Sequence, residues 1–164
     1  MGIEIERKFL VRGTAWKTVP GTPYRQGYLN RDKHRTVRVR IAGDAAFLTI
    51  KGVSVGATRA EFEYPIALPD AQSLLALCDG PVIDKVRYVL QHAGTTWEVD
   101  EFAGDNAGLV VAEVELTHED QAFARPDWLG EEVTQDARYF NSSLASHPYG
   151  QWRDKFEESI QAIQ

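Results

Sequence analysis

The sequence has little of the thiol and imidazole chemistry that many enzymes use. Its single cysteine, Cys78, lies in the apolar stretch 73–78 with no histidine beside it, which favours a small buried side chain over a nucleophile. The histidines are scattered along the chain without the spacing of metal ligands, at His34, His92, His118 and His147. We therefore interpret each histidine as a surface or structural residue.

Long apolar runs are also absent. No stretch approaches the length needed to cross a bilayer, and the N-terminal residues lack the basic and apolar regions of a secretion signal. Glu6 occupies the position where a myristoylation signal requires Ser or Thr. We expect a cytoplasmic protein with no membrane partner.

The sequence also has no excess of basic residues over acidic ones. Lys and Arg number 18 against 24 Asp and Glu, which gives a net charge of -6. This balance argues against a broad nucleic-acid surface, but it is compatible with an anionic substrate in a locally basic pocket. The length of 164 residues, 43% hydrophobic and 26% charged, predicts one globular domain over 1–164.

Short segments with alternating polar and apolar residues are what the sequence has in abundance. They are rich in Val, Ile, Phe and Tyr and are bounded by Gly, Pro, Asp or Asn, a pattern typical of β-strands. The predicted strands are Ile3–Val11, Tyr24–Asn30, Arg35–Ile41, Ala46–Lys51, Thr58–Ile66, Val82–Gln91, Thr95–Phe102 and Leu109–Thr117.

Helical spacing appears in a few places between and after these strands. The predicted helices run from Pro69 through Leu77 and over His118–Ala124, Asp136–Ser146 and Gln151–Ile163. Strands in mainly antiparallel succession with helices late in the chain indicate an α+β fold or a closed eight-stranded β-barrel.

One face of nearly every predicted strand collects ionisable residues at two-residue spacing. Because residues i and i+2 of a strand point to the same side, each pair shares a face opposite the apolar residues. The charged positions are Glu4, Glu6, Lys8, Arg38, Arg40, Lys51, Glu61, Glu63, Lys85, Arg87, Glu98, Asp100, Glu113 and Glu115.

Two interpretations of this face compete. For any one strand, a solvated outer face is the simpler explanation, and Glu4 and Lys8 could equally form a helical ion pair. The whole set is harder to explain that way, because like charges one pleat apart repel by about 1 kcal/mol or more. Paired carboxylates fit a divalent cation, and paired Arg or Lys residues fit an oxyanion such as phosphate.

Closing the sheet into a barrel would resolve the problem of the charged face. The apolar sides could be covered by helices outside while the charged sides line the interior, and eight strands leave room for one small ligand. The result would be a tunnel with acids for Mg²⁺ or Mn²⁺ and bases for a chain of phosphates. Hard oxygen ligands without a Cys/His cluster disfavour zinc.

At this point the sequence resembles a known family. Glu4-x-Glu6-x-Lys8 matches the ExExK signature of the CYTH superfamily, the triphosphate tunnel metalloenzymes. The resemblance covers nearly the whole chain, and the chain is similar to the short bacterial members of this family. Its further segments are Arg25–Leu29, Val37–Arg40, Thr49–Gly52, Glu61–Tyr64, Lys85–Tyr88, Glu98–Asp100, Ala112–Glu115 and Glu132–Asn141.

The resemblance implies a closed eight-stranded tunnel that binds a triphosphate with Mg²⁺ or Mn²⁺. The implied metal carboxylates are Glu4, Glu6, Glu113 and Glu115, with Asp100, Glu61 and Glu63 as supporting or second-metal candidates. The implied phosphate-binding residues are Lys8, Arg38, Arg40, Lys51, Lys85 and Arg87, with Arg138 closing one end. For Tyr28, a phosphate contact and a structural role are both open.

The mechanism that follows is positioning and charge neutralisation rather than covalent catalysis. A second metal, Glu4 or Glu115 would orient and deprotonate water, and Lys8 or Lys85 would steady or protonate the leaving group. No nucleophile–base pair supports a covalent intermediate.

The substrate is the open part of this prediction. The short chain resembles inorganic triphosphatases, with a thiamine triphosphatase or nucleoside triphosphatase as the second choice. A class IV adenylyl cyclase is disfavoured, because its His-Phe element has no room before Glu4. A non-catalytic polyphosphate or nucleotide sensor would leave the acids unused, and a ligand-free structural domain would leave the like-charge pairs unexplained.

Whether the amphipathic tail Gln151–Gln164 packs on its own barrel or on a partner, as in a homodimer, is open at this stage.

Overall fold

The computed structural model describes residues 2–153, and its framework is an antiparallel sheet with few helices. The strands are β1 (Gly2–Val11), β2 (Thr22–Asn30), β3 (Arg35–Ala42), β4 (Ala45–Gly52), β5 (Thr58–Pro65), β6 (Asp79–His92), β7 (Thr95–Phe102), β8 (Val110–Glu115) and β9 (Leu129–Glu132). The helices are α1 (Leu68–Leu75) and α2 (Asn141–Ser146), with short 3-10 helices at Gly104–Asn106 and Ala137–Tyr139.

The sheet closes on itself as a barrel. Its strand order is β5-β4-β3-β2-β6-β7-β8-β1, and β5 pairs with β1 to complete the ring. β1 pairs with β8 along one edge and, over Gly2–Ile5, with β5 along the other. The predicted closed eight-stranded antiparallel barrel is therefore confirmed.

β9 is an additional strand that the sequence pattern did not predict. It pairs with β1 beyond the stretch that β5 occupies, with Phe9 opposite Glu132 and Val11 opposite Leu129. Arg7 points away from the tunnel and donates to Glu132 from Nε at 2.8 Å. β9 thus covers the part of the β1 edge that would otherwise present unpaired backbone groups.

The apolar sides of the strands face outward, as the closed barrel requires, but helices cover only part of them. α1 packs over β2, β3 and β4, and α2 packs over β6 and β2. The largest apolar cluster lies on β1, β6, β7 and β8 and is covered by the irregular segments around Trp16 and Phe123. There Trp97 makes edge-to-face contacts with Phe9, Phe123 and Trp128 at centroid distances of 5.5–5.8 Å.

The predicted helix over His118–Ala124 is wrong. This segment consists of turns and irregular backbone. Gln121 accepts hydrogen bonds from the backbone N and hydroxyl of Thr117, and Glu119 accepts from Ala57 N and Thr58 Oγ1. Side chains that bond to nearby and distant backbone in this way compete with the helical ladder.

The other predicted helices are found in altered form. α1 starts at Leu68, one residue before Pro69, and ends at Leu75. The predicted helix Asp136–Ser146 is divided, because Phe140 takes an extended conformation between the 3-10 helix and α2. Residues 149–153 are helical, and the rest of the predicted helix Gln151–Ile163 lies outside the described residues. Within residues 2–153 no helix has the length and apolar character to cross a membrane.

Candidate active site

The inward side of the barrel encloses a charged passage. A wide section of about 310 Å³ is lined by residues of β1 to β8 and by Asn141 of α2. A narrow section of about 60 Å³ continues from it past Lys8, Tyr28 and Thr49. The two sections share Glu4, Glu6, Arg38, Lys51 and Asn141, so they form one tunnel.

The acidic wall of the tunnel is built by β1 and β8. Their register places Glu6 directly opposite Glu115 and Lys8 opposite Glu113. Like charges in directly opposed positions repel. Burial, with Glu113 and Glu4 adding repulsion, raises the pKa of Glu6 to about 8. The wall therefore disfavours the ionised form of Glu6 in the absence of a further cation.

Lysines bridge the acids at several points along the wall. Lys51 Nζ lies 3.0 Å from Glu4 Oε2 and 3.3 Å from Glu61 Oε2. Burial and the neighbouring Glu61 still raise the pKa of Glu4 to about 7, although Lys51 opposes the shift. Lys8 Nζ lies 3.7 Å from Glu113 and also donates to the carbonyl of Tyr139 at 3.2 Å.

The described residues contain no group of three or more acidic, His or Cys side chains placed to hold a metal ion as they stand. Glu4 and Glu61 are turned toward Lys51, and Glu98 accepts from Arg87 at 2.7 Å. The oxygen donors of a hard cation site are thus present on one wall, but several are engaged by cations of the same tunnel.

Asp100 lies deeper than the other carboxylates, between two cations. Lys85 Nζ donates to its Oδ2 at 2.7 Å, and Arg87 donates to Oδ1 at 2.8 Å and to Oδ2 at 2.9 Å. Burial alone would raise the pKa of Asp100, but Lys85 and Arg87 outweigh burial and hold that pKa well below its usual range. Both carboxylate oxygens are therefore occupied.

The arginines of β3 are the least compensated cations of the tunnel. Arg38 reaches Glu63 at only 3.9 Å, and its buried Nε has no hydrogen-bond partner among the described residues. Arg40 has no carboxylate within 4.0 Å in residues 2–153. Burial, with Arg38 and Arg87 adding repulsion, lowers its pKa to about 10. Such a concentration of buried positive charge favours a bound anion.

Comparison with known proteins agrees with this geometry. The CYTH domain matches residues 2–149. The chain is 51% identical over 156 residues to a protein of Acetivibrio thermocellus named inorganic triphosphatase, covering 94% of this chain and 100% of that protein. This chain belongs to the CYTH family.

Other CYTH-like proteins match less closely. A Nitrosomonas europaea protein named inorganic triphosphatase is 40% identical over 146 residues, covering 87% of this chain and 96% of that protein. The crystal structure of the inorganic triphosphatase NE1496 aligns with a TM-score of 0.60 at 38% identity, over 86% of this chain and 96% of that chain. A conserved hypothetical protein from Pyrococcus furiosus, 19% identical with a TM-score of 0.57, covers 71% of this chain and 80% of that chain and shares the fold.

The CYTH tunnel brings together most of the residues that the sequence singled out. Those that line it are Glu4, Glu6, Lys8, Arg38, Arg40, Lys51, Glu61, Glu63, Arg87, Glu98, Glu113 and Glu115. Tyr28 is 5% exposed; it belongs to an apolar cluster and also borders the narrow section. Lys85 and Asp100 lie behind the tunnel surface as a buried pair.

Arg138 is placed apart from these residues. Its Nε donates to Asp136 Oδ1 at 3.0 Å, and its guanidinium lies 5.1 Å from the ring centroid of Trp152. It borders neither section of the tunnel. The side chain as it stands caps a surface turn and does not close the tunnel.

Several tunnel residues were not singled out from the sequence. Tyr24, Thr49 and Arg59 line the tunnel, and Gln26 lies buried beside it. All four point to the same side of the sheet as the charged residues, so the two-residue spacing itself contains the signal for them. Asn141 could not be found this way. It reaches Lys85 from the first residue of α2, at 3.3 Å, because Phe140 redirects the chain.

Proposed function

We propose that this protein is a metal-dependent hydrolase that cleaves inorganic triphosphate (tripolyphosphate) to pyrophosphate and phosphate. The observation that carries the proposal is the segregation of charge inside one closed tunnel. Crowded carboxylates of β1 and β8 face the same cavity as two arginines of β3, Arg40 without a paired carboxylate among the described residues and Arg38 with only a long contact to Glu63. The two relatives named inorganic triphosphatase, at 51% and 40% identity, support the same substrate.

The carboxylate wall suits Mg²⁺ or Mn²⁺. Glu4, Glu6, Glu113 and Glu115 offer only oxygen donors, which these ions prefer. Burial first, and then repulsion from Glu113 and Glu4, raises the pKa of Glu6 to about 8, and a divalent cation beside these carboxylates would favour its ionised form. When bound, such an ion neutralises phosphate charge and acidifies a coordinated water.

The ion pairs across the tunnel are suited to exchange partners when substrate binds. Lys51 now neutralises Glu4 and Glu61, so a phosphate chain that attracts Lys51 releases Glu4 for the metal. Arg40 needs no such exchange, because it has no carboxylate within 4.0 Å among the described residues, and Arg38 gives up only a long contact with Glu63 at 3.9 Å. These residues would hold the phosphate chain in line, which is most of what phosphoryl transfer requires.

Hydrolysis breaks one P–O–P bond: water supplies the oxygen of the released phosphate, and pyrophosphate leaves with the bridging oxygen. A carboxylate of the wall, Glu4 or Glu115, would take the proton from water. Lys8 is better placed than Lys85 to steady the leaving pyrophosphate, because Lys8 borders the tunnel while Lys85 is fully engaged behind it.

A neighbouring cavity favours a second candidate, an organic triphosphate. At the narrow end a space of about 280 Å³ is bordered by Arg59, Lys33 and hydroxyl groups, but also by Val53 and Phe140. An apolar and aromatic contact of this kind suits a base or a thiazole attached to the terminal phosphate. Thiamine triphosphate and nucleoside triphosphates are therefore the competing substrates.

A substrate panel tests the proposal. The purified protein is incubated with tripolyphosphate, ATP, thiamine triphosphate and pyrophosphate, each with Mg²⁺, Mn²⁺ or EDTA. We expect metal-dependent phosphate release, fastest from tripolyphosphate. Faster release from an organic triphosphate would move the assignment to the second candidate, and tight binding without turnover would identify a sensor instead of an enzyme.

A further inference from the structure

Gln26 is a neutral, fully buried residue beside the charged tunnel. It lies on β2 between Tyr24, which borders the wide section, and Tyr28, which borders the narrow section. The register places it opposite Arg40 on β3 and Ile83 on β6, and it is 0% exposed. A fully buried amide at this position needs an explanation if one of its polar atoms lacks a partner, because the large majority of buried side-chain polar atoms have at least one.

The amide is used on one side only. Its Oε1 accepts a hydrogen bond from Arg40 Nε at 2.9 Å, while Nε2 has no partner among the described residues. The orientation follows from chemistry, since only the oxygen can accept from the guanidinium N–H. An apolar residue would avoid this unsatisfied donor but would take the acceptor from Nε of Arg40, so the glutamine is explained by what its oxygen does for Arg40.

Gln26 and Tyr24 together fix the guanidinium of Arg40. Gln26 holds Nε, and the ring of Tyr24 lies 5.0 Å from the guanidinium carbon, with Arg87 4.7 Å from the same ring. Because Nε donates to Gln26, the two terminal nitrogens are the remaining donors of the Arg40 guanidinium. Arg40 borders the wide section, where those donors can form a fork for phosphate oxygens.

The Gln26 amide that accepts the hydrogen bond from Arg40 is also uncharged. Arg87, Lys51 and Lys8 each have a carboxylate within 4.0 Å, whereas Arg40 is held by an amide oxygen. A carboxylate in place of the amide would keep the hydrogen bond but neutralise the charge. An amide orients the arginine and leaves that charge to the ligand.

We propose that Gln26 is a positioning residue that orients Arg40 for a phosphate group of the substrate while keeping the charge of Arg40 uncompensated. The inference rests on the proposed function, because it takes tripolyphosphate as the ligand. It assigns no direct substrate contact to Gln26. It acts through Arg40.

Two variants of similar size separate orientation from charge. Gln26→Glu keeps an acceptor and adds a negative charge, and Gln26→Met removes the acceptor without adding charge. We expect Gln26→Glu to raise KM for tripolyphosphate about tenfold or more, with kcat changed by less than about threefold and the thermal midpoint at or above that of wild type. For Gln26→Met we expect a smaller rise in KM. A wild-type KM in Gln26→Glu would overturn the inference.

A double-mutant cycle with Arg40→Gln tests whether Gln26 acts through Arg40. If it does, Gln26→Met adds less than about twofold to KM once Arg40 has been replaced. If the KM increases caused by Gln26→Met and by Arg40→Gln simply multiply in the double variant, the inference is contradicted. The wild-type protein separates the two proposals: if it neither binds nor hydrolyses tripolyphosphate with Mg²⁺ or Mn²⁺, the proposed function fails, whereas normal wild-type turnover with unaltered Gln26 variants refutes the role of Gln26 alone.

Discussion

At the scale of single residues, the tunnel contains two kinds of carboxylate that the sequence does not distinguish. Glu98 and Asp100 follow the same two-residue spacing as Glu113 and Glu115. The structure separates them by depth, because both oxygens of Asp100 are taken by Lys85 and Arg87. Asp100 is therefore better suited to hold the cations in place than to bind a metal.

Replacing Asp100 with asparagine should strongly destabilise the fold, because two buried cations would lose their shared counter-charge. We expect a loss of roughly 3–5 kcal/mol in the free energy of unfolding, measured by urea denaturation. Asp84→Asn is the matched control. Its carboxylate pairs with Arg25 at 3.7 Å on the surface, and its loss should cost about 1 kcal/mol or less. Equal losses in the two variants would contradict a structural role for Asp100.

Glu6 should behave in the opposite way, since burial, with repulsion from Glu113 and Glu4, disfavours its ionised form more than Lys51 and Lys8 favour it. Its pKa in the folded metal-free protein, about 8, lies above the usual value, so folding takes up a proton and ionised Glu6 destabilises the fold. Stability of the metal-free protein should thus fall as pH rises from about 5 to about 8. Glu6→Gln should weaken this dependence and keep or raise the thermal midpoint at pH 8.

The same Glu6→Gln variant should lose metal-dependent turnover by at least about 100-fold, because it removes a charged oxygen from the carboxylate wall. Thermal unfolding and phosphate release measured on one preparation separate the two effects. A variant that loses stability and activity in parallel would indicate a structural glutamate and argue against the metal assignment.

At the scale of elements, the loop between β4 and β5 borders the narrow end of the tunnel and is held from outside. Glu119 accepts hydrogen bonds from Ala57 N at 2.9 Å and from Thr58 Oγ1 at 3.0 Å. Gly56, at φ +61°, approaches the same carboxylate so closely that a Cβ would lie 2.7 Å from its Oε1. Glu119 therefore fixes a loop that belongs to the tunnel wall.

Glu119→Ala should release this loop without unfolding the barrel. We expect faster amide hydrogen exchange at Ala57 and Thr58, together with a KM for tripolyphosphate raised about two- to fivefold. Asp120→Ala, at the next, exposed position, serves as the control and should change neither quantity. Unaltered exchange at Ala57 in the Glu119 variant would show that the loop is held by other contacts.

The strands could be predicted because each carries its own signal, the alternation of inward charge and outward apolar residues. β9 has no such signal, since its four residues Leu129–Glu132 become a strand only by pairing with β1. The segment His118–Ala124 has helical spacing, but Glu119 and Gln121 bond to backbone elsewhere. Contacts between distant parts of the chain decided these elements.

The candidate site also has a part that the sequence pattern predicts and a part that depends on contacts between distant residues. The two-residue spacing of charged residues on one face of each strand was enough to identify the tunnel residues on β1, β3, β5 and β8 without knowledge of the fold. It could not indicate that Lys85 and Asp100 neutralise each other behind the surface, or that Arg138 pairs with Asp136 outside the tunnel. Which charges remain uncompensated depends on side-chain distances, and those are set by strand register.

At the scale of the whole molecule, a net charge of -6 coexists with a tunnel suited to a polyanion. Closure of the barrel permits this, because Arg38 and Arg40 lie on β3 while the crowded carboxylates lie on β1 and β8, in a different part of the wall. Some apolar side chains of the barrel stay exposed, among them Ile3, Phe62 and Tyr64. A homodimer and a cytoplasmic location stay predictions from the sequence.

Metal should stabilise the whole fold if the carboxylate wall binds it. An ion that binds only the folded protein at 100 times its dissociation constant adds about 2.7 kcal/mol. Mg²⁺ or Mn²⁺ should therefore raise the thermal midpoint at pH 8 by about 5 °C or more relative to EDTA. Glu6→Gln should lose most of this shift, whereas Glu132→Gln, on the outer face beside Arg7, should keep it.

The most direct test of the central claim is a ³¹P NMR time course of tripolyphosphate with the wild-type protein and Mg²⁺ or Mn²⁺, repeated with EDTA. A tunnel in which one wall binds metal and the other binds phosphate predicts equal amounts of phosphate and pyrophosphate with metal, and no hydrolysis with EDTA. Hydrolysis that persists in EDTA, or no hydrolysis with either metal, would contradict the account.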